Sequence, residues 1–438
     1  MGELVVAGWV VLISTFLVIG ADLMWVVAMG DHIRREGMVP DGIPFATAPQ
    51  QHWANPVVLA QVTSSLVAGR GDLALPAIHL ILVATVLVIL LVEARRMGAR
   101  EARSALTLSL VVIGASSAFV VIRYPAISLL PFVVLLLLIR LADAGRSSYL
   151  VWAVPPLMIL WGNLHGGVLV GLAVLGVYAL LGRGVPAIRR AGAGAVSLLA
   201  LVLTPAGLDT PGYYLSALSN EAAVQRVGLW APPSLSNPLD VAMILVATLL
   251  LLLAARRLTV WEWAVALCLT AGTVSAARHG VWLILFLAPL AAVGGAREGA
   301  PGSAPGRPHT VLAVALAGVT AAAVLLQLAA RECALRPPGA EVVSVIVERG
   351  GPDPVVLAKE PDAETFAAAG LTVWASNPID AFQRGTQREF LDFLDGCRIP
   401  TGVYDVVVVD VTCSSAFEEV GWRVTHNTGR LVVLQLPG

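Results

Sequence analysis

Eleven apolar segments with almost no charged side chains most constrain what this chain can form. An apolar segment of about 18 or more residues is long enough to cross a bilayer about 30 Å thick as a helix. The segments lie roughly at 4–29, 74–93, 105–122, 126–139, 149–161, 166–181, 191–204, 239–254, 262–277, 279–294 and 310–330. The sequence therefore predicts a polytopic α-helical membrane protein with about eleven transmembrane helices. Short segments, such as 126–139 and 149–161, predict kinked or partial helices.

Composition agrees with this class. Charged residues make up 13% of the 438 residues, about half of the roughly 25% typical of soluble domains. The mean hydropathy is +0.82. These values exclude a soluble enzyme, a disordered chain and a nucleic-acid-binding protein. The first apolar segment has no basic residue before it, because only Met1-Gly2-Glu3 precedes it. We therefore expect an uncleaved helix there and not a signal peptide.

Arginine placement predicts the orientation. Residues 1–330 contain 19 arginines, of which 13 lie in alternate loops at 94–104, 140–148, 182–190, 255–261 and 295–309. Loops rich in Lys and Arg stay cytoplasmic. The N-terminus is therefore expected inside, and eleven crossings place the C-terminal residues outside the cytoplasmic membrane. Loop 295–309 is rich in Pro, Gly and Ser and is predicted to be a linker.

Residues 331–438 are predicted to be a separate extracytoplasmic α/β domain. Their net charge is −6, against +5 for residues 1–330, and the change coincides with the end of the apolar segments. Strands are predicted at 355–358, 371–374 and 404–410, and a hairpin is predicted at 421–436. The segment contains no glycine-rich phosphate loop, so a lid or an interaction domain is the expected role. VWASNPIDAF (373–382) has no function assigned from its sequence.

Local signals place helix ends and a disulfide in this domain. A helix from Asp362 to Ala369 is expected to end at Gly370. Thr386 and Glu389 have capping-box spacing at the start of a second helix, which Gly396 is expected to close. Three cysteines face the oxidising side in the predicted orientation and allow three pairings. Of these, Cys397–Cys413 is favoured over the pairings that involve Cys333.

Polar and ionisable residues at the ends of membrane helices are costly and are therefore candidates for function. Those on the predicted outer side are Asp22, Trp25, Asp31, Arg123, Asn163, His165, Glu221, Arg278 and His279. A carboxylate among them could take a proton from an acceptor hydroxyl. Guanidinium and imidazole groups could stabilise a departing phosphate. The set suits group transfer on a lipid-linked phosphate.

Several of these residues also have a simpler interpretation. Asp22 could be an interfacial carboxylate in contact with headgroup water. Trp25 could be an aromatic-belt anchor, and His165 could only cap a helix end. Arg278 and His279 are harder to explain in this way, because a cation in a short outer loop needs a partner, and phosphate is a natural one.

The order of these residues resembles the GT-C superfamily of glycosyltransferases. The stretch GADLMWVVAMGDHIRREGMVPDGIPFA is similar to the first outer loop of bacterial multi-span members, with matches at Asp22, Leu23, Trp25, Gly30, Ile33, Gly37, Pro40, Pro44 and Phe45. Later segments that resemble family loops are WGNLHGGVLVGL (161–172), LTPAGLD (203–209), LWAPPSLSNP (229–238) and ARHGVWLILFLAPLAA (277–292). The resemblance covers about 300 residues in the same order.

The resemblance implies a GT-C-like fold and transfer of a sugar from a polyprenyl-phosphate donor to an acceptor at the outer face of the membrane. Asp22 would be the catalytic base and Asp31 a supporting acid. Arg123, Arg278 and His279 would bind the phosphate, and Asn163 and His165 would orient the donor or the acceptor. Trp25 and Glu221 complete the expected substrate-binding set. The sugar, the acceptor and the polyprenyl chain stay open.

The sequence departs from the family pattern at several acidic positions. Gly20 and Ile43 stand where the pattern has Asp, Val26 where it has His, and Leu229 where it has Glu. PVVLAQ (56–61) replaces an acidic family segment. A second function therefore stays open, a non-catalytic membrane scaffold whose outer domain binds a partner. The metal requirement is also open, with a divalent cation as the option considered.

Overall fold

Two compact units form the structure, a computed structural model that describes residues 1–293 and 310–437. The first unit comprises Met1–Val18, Leu75–Leu203 and Arg226–Glu332. The second comprises Ile19–Ala74, Thr204–Gln225 and Cys333–Gly438. The second unit thus joins two loops of the apolar region to the C-terminal residues. The sequence-based division at residue 330 stays a prediction, and the predicted linker 295–309 lies outside the described residues.

The first unit is helical. Its α-helices are Gly2–Ser14, Ala74–Arg96, Glu101–Gly114, Ser116–Val120, Leu129–Asp143, Val154–Leu164, Val168–Leu181, Ala187–Leu199, Pro238–Ala254, Val260–Ser275, Gly280–Val293 and Thr310–Ala330. Two strands of two residues each, β1 (Val18–Ile19) and β2 (Val121–Ile122), form a separate two-stranded sheet.

The predicted number of membrane crossings is not confirmed. Among the described residues, two helices are long and apolar enough to cross a membrane, Ala74–Arg96 and Tyr124–Asp143, or three if one bent helix pair counts as a single span. Several other apolar helices are shorter, with 10–17 residues, such as Val168–Leu181 and Pro238–Ala254. Segment 126–139, expected to be partial, is part of one of the two long spans, because a 3₁₀ turn at Tyr124–Ser128 extends it.

The first apolar segment is not the single helix that was expected. It forms a helix at Gly2–Ser14 and a second one at Met24–Glu36. At the break, the hydroxyls of Ser14 and Thr15 donate to the carbonyls of Val11 and Leu12. Such side-chain hydrogen bonds compete with the backbone hydrogen bonds of the helix. The β-branched residues Val18 and Ile19, a few positions later, favour extended backbone.

Helix Gly280–Val293 lies at the centre of the first unit, since every one of its residues is buried. A helix that is apolar on all sides is expected to be buried in this way. Helix Pro238–Ala254 packs closely on it, because Gly280 faces the side chain of Met243, and a Cβ at Gly280 would collide with that side chain.

One buried charged cluster crosses this apolar core. Arg140 donates to Glu93 at 2.9 Å, to Glu262 at 3.2 Å and to the carbonyl of Phe286 at 2.8 Å. All three charged side chains are at least nine-tenths buried. A buried guanidinium needs such partners because its desolvation is expensive. The cluster ties four helices together.

The second unit contains a five-stranded mixed sheet. Its strands are β3 (Val355–Ala358), β4 (Thr372–Val373), β5 (Val406–Asp410), β6 (Arg423–Asn427) and β7 (Leu431–Gln435), in the order β4-β3-β5-β7-β6. β3 is parallel to β4 and β5, while β7 is antiparallel to β5 and β6. The predicted strands and the hairpin are present. β5 reads VVVVD because a central strand buried on both faces needs apolar residues at successive positions.

Helices cover both faces of this sheet. The second unit contains the α-helices Met24–Glu36, Val58–Ala68, Thr210–Leu218, Glu221–Gln225, Val343–Arg349, Asp362–Ala368, Arg384–Gly396 and Ser414–Glu418. The core on one face includes Phe366, Ile346 and Ala28, the last of which belongs to Met24–Glu36. The helix that follows Asp22 in sequence therefore packs into the core of the C-terminal fold.

Two local predictions in this region were wrong, and one is confirmed. Thr386 and Glu389 form no capping box, because Thr386 donates to the carbonyl of Pro49 and Glu389 accepts from Thr401. The second helix ends with Cys397 in the left-handed conformation, one residue after the expected Gly396. The disulfide Cys397–Cys413 is present, with a Cα–Cα distance of 5.6 Å.

Candidate functional site

The WGNLHGG segment forms a tight turn between two helices of the first unit. Helix Val154–Leu164 ends at His165, which is extended, and the next helix begins at Val168. Ser128 lies beside this turn and is fully buried. Its hydroxyl is 2.7 Å from Nδ1 of His165 and 2.7 Å from Nε1 of Trp161. The hydroxyl therefore connects two residues of the segment.

The direction of these hydrogen bonds fixes the imidazole tautomer. The indole N–H of Trp161 can only donate, so the Ser128 oxygen accepts from it and the Ser128 hydroxyl hydrogen points to His165. The backbone N–H of Gly167 also donates to Nδ1 of His165, at 2.9 Å. Nδ1 is therefore an acceptor. The proton of the neutral ring lies on Nε2, which is then a hydrogen-bond donor.

Two glycines make this arrangement sterically accessible. A Cβ at Gly167 would lie 2.7 Å from the Ser128 hydroxyl and 2.8 Å from Nδ1 of His165. A Cβ at Gly171 would collide with the indole ring of Trp161. The small residues of this segment are thus explained by the packing of the Trp161–Ser128–His165 network.

Two arginines act electrostatically on His165. The pKa of His165 is lowered to about 3, first by burial and then by the positive charges of Arg278 and Arg123. His165 is therefore neutral at physiological pH and keeps the tautomer described above. Two guanidinium groups and an imidazole N–H form a combination of donors that suits a phosphate.

Arg278 is held by stacking as well as by hydrogen bonding. It belongs to the 3₁₀ turn Ala277–His279. Its guanidinium carbon lies 3.7 Å from the ring centroid of Trp230, and its Nε donates to Nε2 of His279 at 3.2 Å. A stacked guanidinium loses less rotamer freedom when it binds a ligand. The predicted residues Arg123, His165, Arg278 and His279 thus belong to one group in the first unit.

Asn163, also predicted to bind substrate, makes backbone contacts. Its amide nitrogen donates to the carbonyls of Ile159 at 2.8 Å and Leu203 at 2.9 Å. These bonds orient the end of helix Val154–Leu164 and so support the turn that carries His165.

Asp22 belongs to the second unit. It lies in a turn, closed by a hydrogen bond from Leu23 to Gly20, immediately before helix Met24–Glu36. Its side chain is buried. Trp25 follows on the first turn of the helix and meets Trp53 edge to face, with ring centroids 6.5 Å apart. A carboxylate at this end of a helix is favoured by the helix dipole.

Asp31 lies on the same helix but in a different environment. Its carboxylate accepts from Ser65 at 2.5 Å and pairs with Arg34 at 3.5 Å, and it is partly exposed. Helix Val58–Ala68, which carries Ser65, lies close because Gly30 faces the backbone carbonyl of Gln61, where a Cβ would collide. The glycine at this position of the first-loop motif therefore has a packing role.

Glu221 is engaged inside the second unit. Its buried carboxylate pairs with Arg384 at 3.2 Å and with Arg388 at 3.0 Å. Its backbone N–H donates to Gln387 at 2.9 Å. The predicted site residues are thus distributed over both units, with Asp22, Trp25, Asp31 and Glu221 in the second.

Among the described residues, no metal cluster includes the predicted site residues, and a cavity of the first unit lies elsewhere. Within residues 1–293 and 310–437, no three His, Cys, Asp or Glu side chains converge as metal ligands. A cavity of about 390 Å³ in the first unit is lined by Met97, Arg140, Asp143, Ala144, Arg257, Thr259, Trp261, Glu262, Leu290 and Val293. It includes no predicted site residue and adjoins loops predicted to be cytoplasmic.

Two important contacts were not predicted from the sequence. Ser128 was not selected, although it is the one hydroxyl residue in the apolar segment 126–139. Asp380 was also not selected, and its carboxylate accepts from Nε1 of Trp53 at 2.9 Å. A lone hydroxyl in an apolar segment was a signal that could have identified Ser128. The sequence around Asp380 contains no feature that marks it as the acceptor for Trp53.

Comparisons with known proteins add one finding. No family model and no curated protein matches the sequence. The structure is similar to the crystal structure of ArnT from Cupriavidus metallidurans in the apo state, with a TM-score of 0.57 and 16% identity over 99% of this chain and 96% of that one. The two proteins share a fold. At this identity the similarity establishes the fold alone.

Proposed function

We propose that this chain is a glycosyltransferase of the cytoplasmic membrane that transfers a sugar from a polyprenyl-phosphate donor to an acceptor at the outer face. The group formed by His165, Arg123 and Arg278 carries the proposal. A neutral imidazole donor beside two guanidinium groups suits a phosphate oxyanion, and the GT-C-like fold supports the same assignment. The arginine distribution predicts that the C-terminal residues lie outside.

The reaction would be a single displacement with inversion. Asp22 takes the proton of the acceptor hydroxyl, and the acceptor oxygen bonds to the anomeric carbon. The bond from that carbon to the phosphate oxygen breaks, and polyprenyl phosphate leaves with the electron pair. Arg123, Arg278 and the Nε2 proton of His165 stabilise the charge that develops on the phosphate.

The test compares Asp22→Asn with Asp72→Asn in the purified full-length protein, assayed with polyprenyl-phosphate sugars. Asp72 is a matched control, because it is an exposed carboxylate of the same unit and lies outside the proposed site. Loss of a general base typically lowers the rate about 10²- to 10⁴-fold. Asp22→Asn should therefore lose transfer, while Asp72→Asn should keep most of it. Full activity of Asp22→Asn would show that Asp22 is not the base.

The scaffold alternative gives a different result in the same experiment. A scaffold shows no transfer in the wild-type protein with any donor, and it binds no polyprenyl phosphate through Arg123 and Arg278. Binding of a short-chain polyprenyl phosphate by the wild type, and its loss in Arg123→Ala, would favour the transferase.

A further inference from the structure

One stretch of the C-terminal residues contacts both loops of the second unit. We name residues 373–388 the clamp segment. It contains the whole VWASNPIDAF motif and the start of helix Arg384–Gly396. The two loops that it contacts are the first loop, residues 37–57, and the loop 204–225.

Backbone pairing joins the clamp segment to the first loop. Val373 donates to Phe45 at 2.9 Å, and Ala48 donates to Trp374 at 2.8 Å. Gln51 donates to Ala381 at 3.0 Å, further along both stretches. The first loop thus adds to the sheet beside β4. Backbone hydrogen bonds of this kind give a loop the order of a strand without requiring particular side chains.

Asp380, a buried residue of the clamp segment, adds two hydrogen bonds to the first loop. Its buried carboxylate accepts the indole N–H of Trp53 at 2.9 Å, and its carbonyl accepts from Gln51 at 2.8 Å. Trp53 is itself buried and contacts Tyr213 of the second loop, with ring centroids 5.9 Å apart. A buried indole N–H without an acceptor is costly, so Asp380 fixes the orientation of this ring.

The contact between Trp53 and Trp25 links the orientation of Trp53 to the turn that contains Asp22. Trp53 meets Trp25 edge to face, and Trp25 follows Asp22 by three residues at the start of helix Met24–Glu36. Ala28 of the same helix lies in the core with Phe366 and Val373. The turn with Asp22 is therefore held by the clamp segment and by the core beneath it.

Glu221 anchors the second loop to the same segment. Its carboxylate pairs with Arg384 and Arg388, and Gln387 accepts its backbone N–H. A buried carboxylate with two guanidinium partners is expensive to break. One stretch of sixteen residues thereby orders two loops that are far apart in sequence.

We propose that the clamp segment positions the turn containing Asp22, with Asp380 and Trp53 as positioning residues, and that Glu221 anchors the second loop and does not contact substrate. The inference rests on the proposed function for the role of Asp22 as base. It assigns to the C-terminal residues a part in ordering the site, in place of a lid or a partner-binding domain.

The experiment uses the full-length protein and three variants. Asp380→Leu removes the acceptor for Trp53, whereas Asp380→Asn keeps a carbonyl oxygen at that position and is the conservative rescue. Phe417→Leu is the matched control, because Phe417 is buried against Phe393 and Trp422 in the same C-terminal fold but away from the clamp segment. Amide hydrogen exchange of residues 20–33 and the kinetic constants of transfer are measured for each.

Asp380→Leu should raise exchange at residues 20–33 about tenfold or more. It should also lower kcat about 10²-fold while KM for the donor changes less than about threefold, because misplaced groups cost rate. Asp380→Asn should resemble the wild type. Phe417→Leu should destabilise the C-terminal fold without affecting residues 20–33. Equal effects of Asp380→Leu and Phe417→Leu would overturn the proposal, since they would indicate a general structural role.

The two proposals fail in different ways. If the wild type transfers no sugar, the proposed function fails, and exchange at residues 20–33 still decides whether Asp380 orders the turn. If transfer depends on Asp22 but Asp380→Leu changes neither kcat nor exchange, the positioning role is wrong and the proposed function stands.

Discussion

The indole nitrogen of Trp53 lies 2.9 Å from the carboxylate of Asp380, in a buried hydrogen bond between residues 327 positions apart. This contact belongs to one folded unit that also contains the turn with Asp22. Residues that look like a membrane-side loop and residues that look like a separate domain therefore share a core. The first loop depends on the C-terminal residues for its order.

Ser128→Ala should impair both stability and activity. The variant removes the acceptor of the buried Trp161 N–H and one donor to Nδ1 of His165. An unpaired buried donor costs about 1–3 kcal/mol, which thermal unfolding in detergent would measure. We expect transfer to fall about tenfold, because the imidazole is less firmly oriented.

The double variant Ser128→Ala/Trp161→Phe is the control for this prediction. Removing both partners of a buried hydrogen bond is nearly neutral compared with removing one. Stability should therefore recover in part while transfer stays low. Recovery of both would show that the network is only structural.

Arg278→Lys should weaken phosphate binding although it keeps the charge. Lysine cannot reproduce the stacking of Arg278 on Trp230 or the planar set of donors. We expect the dissociation constant for a short-chain polyprenyl phosphate in nanodiscs to rise about tenfold, or about 1.4 kcal/mol. Arg398→Lys, in an exposed pair with Asp392, should leave binding unchanged. An unchanged constant for Arg278→Lys would remove Arg278 from the phosphate site.

Arg140→Met should strongly destabilise the first unit. It leaves the carboxylates of Glu93 and Glu262 buried without their guanidinium partner. Breaking a buried charge cluster on one side costs about 3–5 kcal/mol. Loss of helical circular dichroism on heating would measure this. Adding Glu93→Gln and Glu262→Gln should restore much of the stability, and a triple variant as unstable as Arg140→Met would contradict the explanation.

His52 should make the first loop sensitive to pH. Its hydrogen bond to Asp41, followed by the charges of Asp41 and Asp209, raises its pKa above the ordinary value. Because the folded state binds the proton more tightly, the contact is fully present below the ordinary pKa of His and is lost as pH rises through the raised value. Hydrogen exchange of residues 41–53 should therefore increase as the pH rises from below the ordinary pKa of His through the raised pKa of His52.

The contact between His52 and Asp41 is also expected to weaken at low pH, and the variant His52→Gln is the control. The pKa of Asp41 is lowered, first by its hydrogen bond with His52, so the contact is also lost when pH falls through that lowered value. In His52→Gln the change in exchange near neutral pH should disappear. A pH dependence that survives this substitution would have another origin.

Much of the local structure followed from the sequence. The apolar segments became helices, and the strands at 355–358 and 404–410 and the terminal hairpin formed where period and turn residues indicated them. The number of membrane crossings was not confirmed, since apolarity does not fix where a helix breaks. The segment 4–29 shows this, because Ser14 and Thr15 end a helix inside an apolar stretch.

The candidate site was predicted unevenly. Arg123, His165 and Arg278 were selected from their chemistry, and the structure relates them electrostatically within the first unit. Their roles stay predictions. Glu221 was selected for the same reason, but the structure engages it with Arg384 and Arg388. A costly charge in an apolar chain indicates a partner, and the sequence alone does not say whether that partner is a ligand or another side chain.

By itself the sequence indicated an α-helical membrane protein with a C-terminal α/β fold, the positions of most helices and strands, and the residues that could bind or react with a substrate. It could do so because the spacing of apolar residues and the chemistry of each side chain are local properties. Only the tertiary structure decided that Asp380 holds Trp53, that Ser128 sets the tautomer of His165 and that Ala28 belongs to the core of the C-terminal fold. These contacts join residues far apart in the chain. They depend on how helices and strands pack against one another, and that packing has no signature in either partner segment alone.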